Sequence, residues 1–269
     1  MKAEARYLEP IQSMEEKSSP KPDIFLSVII SAFNEQDQID DTLNIVKDYL
    51  QNQVFNSEIM IVDGGNYDRT TEVIKKPGRY VYEFKEQRSS RVKRSIETLG
   101  QGFSLSRSIL RTRGKYILCT DEELSVPIFE VEKMWPHVQA GIDVVLAFPK
   151  DGIKEPFPPF AGRKLGRHAV KTLAWFTSIM GTRCRQCKFK LFRREAARCI
   201  ARAQKLYGRS FDIEQLYLAW AMGFSIKEVP VEWCPPQRVR ANRQNDPGDS
   251  VRLLADVLRV LYTHWDLKR

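Results

Sequence analysis

Three consecutive acids, Asp121-Glu122-Glu123, follow the apolar run Lys115-Tyr116-Ile117-Leu118-Cys119-Thr120. In an extended run, alternate side chains share a face, so Asp121 and Glu123 point the same way. Two hard oxygen donors at that spacing can share one divalent cation, Mg2+ or Mn2+. A cation held there can neutralise a diphosphate and help it leave. The same three acids also fit a solvated turn. Two more polar clusters, Phe33-Asn34-Glu35 and Asp63 to Asp68, also follow short apolar runs. The Asp63 carboxylate can accept hydrogen bonds from a base or a ribose.

The apolar runs must be the strands that position these clusters. Phe25-Leu26-Ser27-Val28-Ile29-Ile30 is β-branched and suited to burial on both faces. Ile39, Leu43, Val46 and Leu50 repeat at helical spacing, and Glu58 to Val62 reads as a second strand. Thr70 to Lys75 looks helical and Val81 to Phe84 strand-like. A helix over Gly102 to Arg113, the strand ending at Thr120, a helix over 129–139 and a strand over Asp143 to Phe148 continue the alternation. This pattern predicts right-handed βαβ units and a mostly parallel central sheet flanked by helices. In such sheets ligands bind beyond the carboxyl ends of the strands, where all three polar clusters fall. Farther on, Phe211 to Met222 is helical, Ser225 to Trp233 alternates, and Ser250 to Leu261 is an amphipathic helix that packs on the domain or lies on a membrane. Residues 1–22 read as a flexible tail. Residues 23–269 read as a single domain, with halves 23–150 and 151–269.

Composition removes several classes. No apolar run approaches the roughly 18 residues of a spanning helix, and residues 1–22 lack a signal-peptide core. Five cysteines form no disulfide framework, so reduced thiols in a cytoplasmic setting are expected. Cys184-x-x-Cys187 lacks the further ligands of a zinc site. The phosphate-binding Gly-x-x-x-x-Gly-Lys loop, the Gly-x-Gly-x-x-Gly turn and the Gly-x-Ser-x-Gly elbow are all missing. The net charge of +9 is concentrated: between Arg163 and Arg209 lie fourteen Lys/Arg against Glu195 alone, a net +13, so the rest sums to −4. Arg163, Arg167 and Lys171 form one helical stripe opposite Leu165, Ala169, Leu173 and Phe176. Such a face is either simply solvated or meets an anion: nucleic acid, a phospholipid surface or a phosphorylated substrate.

In order along the chain, Ser27 to Glu35, Ile61 to Thr70, Gly100-Gln101-Gly102, Arg113 to Leu118 and Asp121-Glu122-Glu123-Leu124-Ser125-Val126-Pro127 resemble the motifs of inverting family 2 glycosyltransferases with the GT-A (Rossmann-like) fold. Gln186 to Ala197, Ser210 to Ala219 and Glu228 to Trp233 resemble the dolichyl-phosphate β-glucosyltransferase and polyprenyl-phosphate sugar transferase group. The resemblance spans roughly residues 25–262. It implies transfer of a sugar, with inversion, from a UDP- or GDP-linked sugar to a polyprenyl phosphate at an anionic membrane surface. The enzyme would be cytoplasmic and peripheral, with nucleic acid not the expected partner.

By the same resemblance, Ala32, Phe33, Asn34, Glu35 and Asp63 hold the nucleotide, with Gln101 and Glu122 beside the donor. Asp121 and Glu123 hold Mg2+ or Mn2+. Arg163 and Arg167 grip the acceptor phosphate, and Arg238 and Arg240 close over the donor diphosphate. Asp212 and Glu214 orient the acceptor or act as base for a hydroxyl acceptor. Gly64, Asn66, Gln101 and Glu123 depart from the usual motif residues and bear on donor choice. A soluble hydroxyl acceptor (a glycan or natural product) and a non-catalytic binding module of the same fold are the alternatives.

Overall fold

The computed structural model describes residues 24–32, 39–63, 101–150, 182, 187–208, 211–234 and 248–267; for Ala32, Asp63 and 248–254 it describes the backbone alone. The tail 1–22, the elements expected at Thr70 to Lys75 and Val81 to Phe84, the Arg163 stripe and the loop carrying Arg238 and Arg240 lie outside the described residues.

Strand β1 (Leu26–Ala32) is the centre of a three-strand parallel unit. Leu26, Val28, Ile29 and Ile30 are fully buried, as a strand covered on both faces requires. It pairs with β2 (Ser57–Asp63) on one side and β3 (Tyr116–Asp121) on the other. The register sets Ala32 beside Asp63 and Ser31 beside Asp121. The ends of the three strands therefore meet at one edge. Helix α1 (Ile39–Gln51) returns the chain from β1 to β2 and buries Ile39, Leu43, Val46 and Leu50, the stripe predicted from spacing.

The full sheet among the described residues has six strands, in the order β2-β1-β3-β5-β4-β6, with β4 spanning Val144–Pro149, β5 Lys190–Arg193 and β6 Ile226–Val231. Sequence alternation predicts a mostly parallel sheet, and five of the six strands run the same way; the exception is β5, which inserts antiparallel between β3 and β4. Alternate side chains divide the core. Val28, Ile30, Leu118 and Leu191 pack toward α1, the 3-10 helix Ile128–Lys133 and the short α3 (Trp135–Gln139). Ile29, Ile117, Cys119 and Phe192 pack toward α2 (Gln101–Arg111), α4 (Arg194–Ala203), α5 (Phe211–Ala221) and α6 (Gly248–Thr263). The single helix expected over 129–139 is split because Pro136 starts a new helix. Helix α6 buries Val257 and Val260 against the domain and leaves Leu258 and Tyr262 exposed. No described helix is long and apolar enough to cross a membrane.

Cys119 and Cys199 are free and buried, Cys234 is free and exposed, and Cys187 is disulfide-bonded. This corrects the expectation of thiols throughout: an odd count does not exclude one bridge.

The far edge of the sheet is closed by a polar lock. Ser27 Oγ donates to Glu58 Oε1 (2.7 Å) and accepts from the Gly114 amide (2.8 Å), and Glu58 also accepts from the Arg113 amide (2.6 Å) and Arg113 Nε (3.0 Å). The carbonyls after α2 would be orphans at a helix end. Arg194 donates to those of Gly114 and Arg113, and Arg198 to that of Thr112. A Cβ on Gly114 would stand 2.4 Å from the Ser27 amide nitrogen and 2.6 Å from the Tyr116 carbonyl oxygen. Gly114→Ala is therefore expected to cost about 1–3 kcal/mol of stability. Urea denaturation checks this, and an unchanged midpoint contradicts it.

Candidate active site

Asp121 ends β3 and is 2% exposed. Its Oδ1 accepts from the Ser125 amide (3.0 Å) and its Oδ2 from Ser125 Oγ (2.6 Å). The intervening turn closes through the Leu124 amide on the Asp121 carbonyl and takes Leu124 into the left-handed region at φ 45°. A non-glycine residue holds that conformation only when its surroundings enforce it. Here they do: Thr42 Oγ1 of α1 donates to the Glu122 carbonyl, and the Cys234 amide after β6 donates to the Ser125 carbonyl (2.8 Å). The acidic turn is thus gripped from two other elements and its carboxylate is oriented before any ligand arrives.

Beside it lies a small open cleft lined by Ser31, Gln101, Thr120, Lys188, Lys190 and Asp212, with Leu105, Cys119 and Phe211 as its apolar part. Residues from β1, β3, the start of α2, β5 and the start of α5 therefore converge. The Thr120 hydroxyl is buried with no hydrogen-bond partner. So is Oε2 of Glu122, which follows Asp121.

Two lysines of the basic segment, both within the Gln186 to Ala197 motif, line this cleft, although neither is singled out by sequence as a site residue. Lys190 is 1% exposed and donates to Asp212 Oδ1 (2.5 Å) and Gln215 Oε1 (2.7 Å). Gln215 in turn donates to Gln204, whose amide nitrogen holds the Gly102 carbonyl at the start of α2 (3.0 Å each). Lys188 is half-exposed, with Nζ 3.5 Å from Asp121 Oδ2. Burial works against its charge, but the Asp121, Glu122 and Glu123 carboxylates hold the ammonium above its ordinary pKa. Burial pushes the Glu122 carboxyl from 4.5 up to about 7, with Asp121 and Glu123 adding to the rise and Lys188 opposing it. The signal for Lys190 was in the sequence: Phe189-Lys190-Leu191-Phe192 is a charge inside an apolar strand, which only a buried partner can compensate.

The remaining predicted residues divide. Gln101 and Asp212 line the cleft. Ala32 and Asp63 pair with each other at the ends of β1 and β2, described as backbone, while Asp121 pairs with Ser31 on the other side of β1. Glu123 is half-buried and follows directly. Phe33, Asn34, Glu35, Arg163, Arg167, Arg238 and Arg240 lie outside the described residues. Glu214 does not join them. It is fully buried, accepts from the Lys205 (2.8 Å) and Leu206 (2.9 Å) amides, and pairs with His264 Nε2 (2.6 Å). Its carboxylate ties the 204–208 loop and α6 to α5 and is not presented to the cleft, so the role expected for it in orienting an acceptor or acting as base is corrected.

The profile of glycosyl transferase family 2 matches residues 27–201, which holds Asp121 with its turn and both cleft lysines. The chain belongs to that family. Among its curated relatives, a dolichyl-phosphate beta-glucosyltransferase of Trichomonas vaginalis is 29% identical over 276 residues, covering 94% of this chain and 75% of the relative. The human dolichyl-phosphate beta-glucosyltransferase is 28% identical over 225 residues, covering 77% and 67%. Solved structures with the same fold include glucosyl-3-phosphoglycerate synthase of Mycobacterium tuberculosis in complex with Mn2+, UDP-glucose and phosphoglyceric acid (TM-score 0.61, 17% identity, 94% of this chain and 86% of that one). Mannosyl-3-phosphoglycerate synthase of Rubrobacter xylanophilus is another (TM-score 0.59, 16% identity, 99% and 79%). The fold of the family 2 chain is therefore GT-A, as the resemblance implied.

That fold implies a divalent cation at the acidic turn, and the residues fit one. The donors are the hard carboxylate oxygens of Asp121, buried and held by Ser125, and of the half-buried Glu123 two residues on. Among the described residues no three metal-ligating side chains converge. The protein would thus supply one or two carboxylates and leave the other positions to phosphate oxygens and water, the usual coordination of Mg2+.

Two predictions follow from these charges. Lys190→Met leaves the Asp212 carboxylate buried without its cation, so it should cost about 3–5 kcal/mol in urea denaturation, and adding Asp212→Asn should recover part of that loss. The folded state binds the Glu122 proton more tightly than the unfolded chain does. Its contribution is therefore full below about pH 4.5 and is lost as pH rises toward about 7. Glu122→Gln should remove this fall: the stability gained over wild type should be larger at pH 7.5 than at pH 4.5.

Proposed function

We propose that the chain transfers a sugar, with inversion, from a nucleotide diphosphate sugar to a polyprenyl phosphate of the dolichyl type. The observation that carries this reading is the meeting of three strand ends at one edge, with Asp121 buried and pre-oriented among them inside the region that matches the family. The names of the 28–29% identical relatives support the lipid phosphate as acceptor and glucose as sugar, and the UDP-glucose-bound neighbour is consistent with a UDP-linked donor.

In this reading Ala32, Phe33, Asn34, Glu35 and Asp63 hold the nucleotide, with Gln101 and Glu122 beside the donor. Asp121 and Glu123 would hold Mg2+ or Mn2+. When bound, that cation supplies positive charge to the departing diphosphate. The Ser125 contacts keep Asp121 aimed. An ionised acceptor phosphate is already a nucleophile. Its oxygen bonds to the anomeric carbon from the face opposite the leaving group while the bond to the nucleoside diphosphate breaks. The Lys190 ammonium keeps Asp212 engaged at the cleft wall, so Asp212 orients the acceptor side. Arg163 and Arg167 bind the acceptor phosphate, and Arg238 and Arg240 cover the donor diphosphate. The enzyme acts peripherally on the cytoplasmic face of an anionic membrane, the exposed Leu258 and Tyr262 of α6 being compatible with such contact.

The test is transfer of radiolabel from UDP-glucose to dolichyl phosphate with Mn2+, read as organic-extractable product, with GDP-mannose run in parallel. Asp121→Asn should lower the rate about a hundredfold or more. Label transferred only to water-soluble acceptors would overturn the lipid assignment. Binding without transfer to any acceptor would leave a non-catalytic module.

A further inference from the structure

The antiparallel register of β5 on β3 pairs Tyr116 with Arg193 and Cys119 with Lys190. Continued by two residues toward the cleft, the same register places Lys188 opposite Asp121. The residues around Lys188 fix that placement. Phe189 and Leu191 are buried on the opposite side of the sheet, the Phe189 carbonyl accepts from the Ala147 amide (3.1 Å), and Cys187 is buried. Lys188 and Lys190, two residues apart, both line the cleft. Lys190 has its own buried carboxylate in Asp212, whereas Lys188 faces the acidic turn, with Nζ 3.5 Å from Asp121 Oδ2. That oxygen also accepts from the Ser125 hydroxyl (2.6 Å), so a metal ion on Asp121 would share the carboxylate with the Lys188 ammonium.

We propose that Lys188 is a built-in cation that competes with the divalent metal for Asp121. This rests on the metal-assisted reading given above. With no donor bound, the ammonium neutralises Asp121, and a metal ion entering alone must displace it and accept its repulsion. A donor diphosphate changes this balance: its negative charge gives the Lys188 ammonium a new partner, and the carboxylate becomes available to the metal. Metal and nucleotide therefore bind cooperatively through Lys188.

The experiment measures Mn2+ affinity of the full chain by electron paramagnetic resonance or calorimetry, alone and then with UDP. Lys188 is half-exposed, so Lys188→Met should fold. It should bind Mn2+ alone roughly fivefold more tightly than wild type, the size expected for removing a partly solvated charge pair. Lys188→Arg should stay near wild type. UDP should raise the Mn2+ affinity of wild type by a larger factor than that of Lys188→Met. Equal Mn2+ affinity in wild type and Lys188→Met overturns the proposal. It is also overturned if Lys188→Met keeps its gain when Asp121→Asn is added, because the metal would then sit elsewhere. Loss of sugar transfer with this competition intact would instead overturn the functional reading alone.

Discussion

Everything at the candidate site depends on one constraint, the register of three parallel strands. β1 ends beside Asp63 on one neighbour and beside Asp121 on the other. Because side chains alternate along a strand, a one-residue slip would turn Ile29, Ile30 and Leu118 to the wrong layers and move Asp121 to the other face. Full burial of these apolar residues holds the register, so the energy that folds the sheet also aligns its polar ends. The Ser27–Glu58–Gly114 lock fixes the opposite end of the same strands. The acidic turn then has few freedoms left, and the contacts from Thr42, Ser125 and Cys234 remove them.

Charge is arranged on this frame in pairs. The basic segment reads in sequence as a surface for an anion, yet its described cations are largely engaged within the molecule. Lys190 is held by Asp212, Arg193 by Asp143 (3.4 Å), Arg194 and Arg198 by the carbonyls after α2, and Lys205 by the Thr263 carbonyl (3.4 Å). Lys188, on the acidic turn, is the described lysine placed to exchange a carboxylate for a phosphate. The cleft thus joins a cation fixed by burial to one that can move. Preorganised charge with little reorganisation is what stabilises a departing diphosphate.

Much of this was legible in the residues. The apolar runs before each polar cluster predicted β1, β2 and β3 to within a residue or two, and the Ile39-Leu43-Val46-Leu50 stripe predicted the buried face of α1. The coincidence of polar clusters with strand ends singles out the candidate site, and the ordered motifs point to the family. β5 and α4 carry no comparable signal in sequence. A four-residue strand gives too short a pattern, and its buried lysine breaks the apolar signal. The arginines of α4 look like a solvated face because their carbonyl acceptors come from a loop some eighty residues earlier. Glu214 shows the same limit in reverse: an acid one turn into a helix reads as chemistry, but His264 and two loop amides make it structural, and only the tertiary fold brings those partners together.

The most direct measurement is a crystal structure of the chain with Mn2+ and UDP-glucose. It should show the nucleotide along the edge formed by Ala32 and Asp63, the metal on Asp121, and the sugar opening into the cleft lined by Thr120 and Asp212. A nucleotide bound away from these three strand ends, or a metal bound without Asp121, would contradict the assignment of this edge as the donor site.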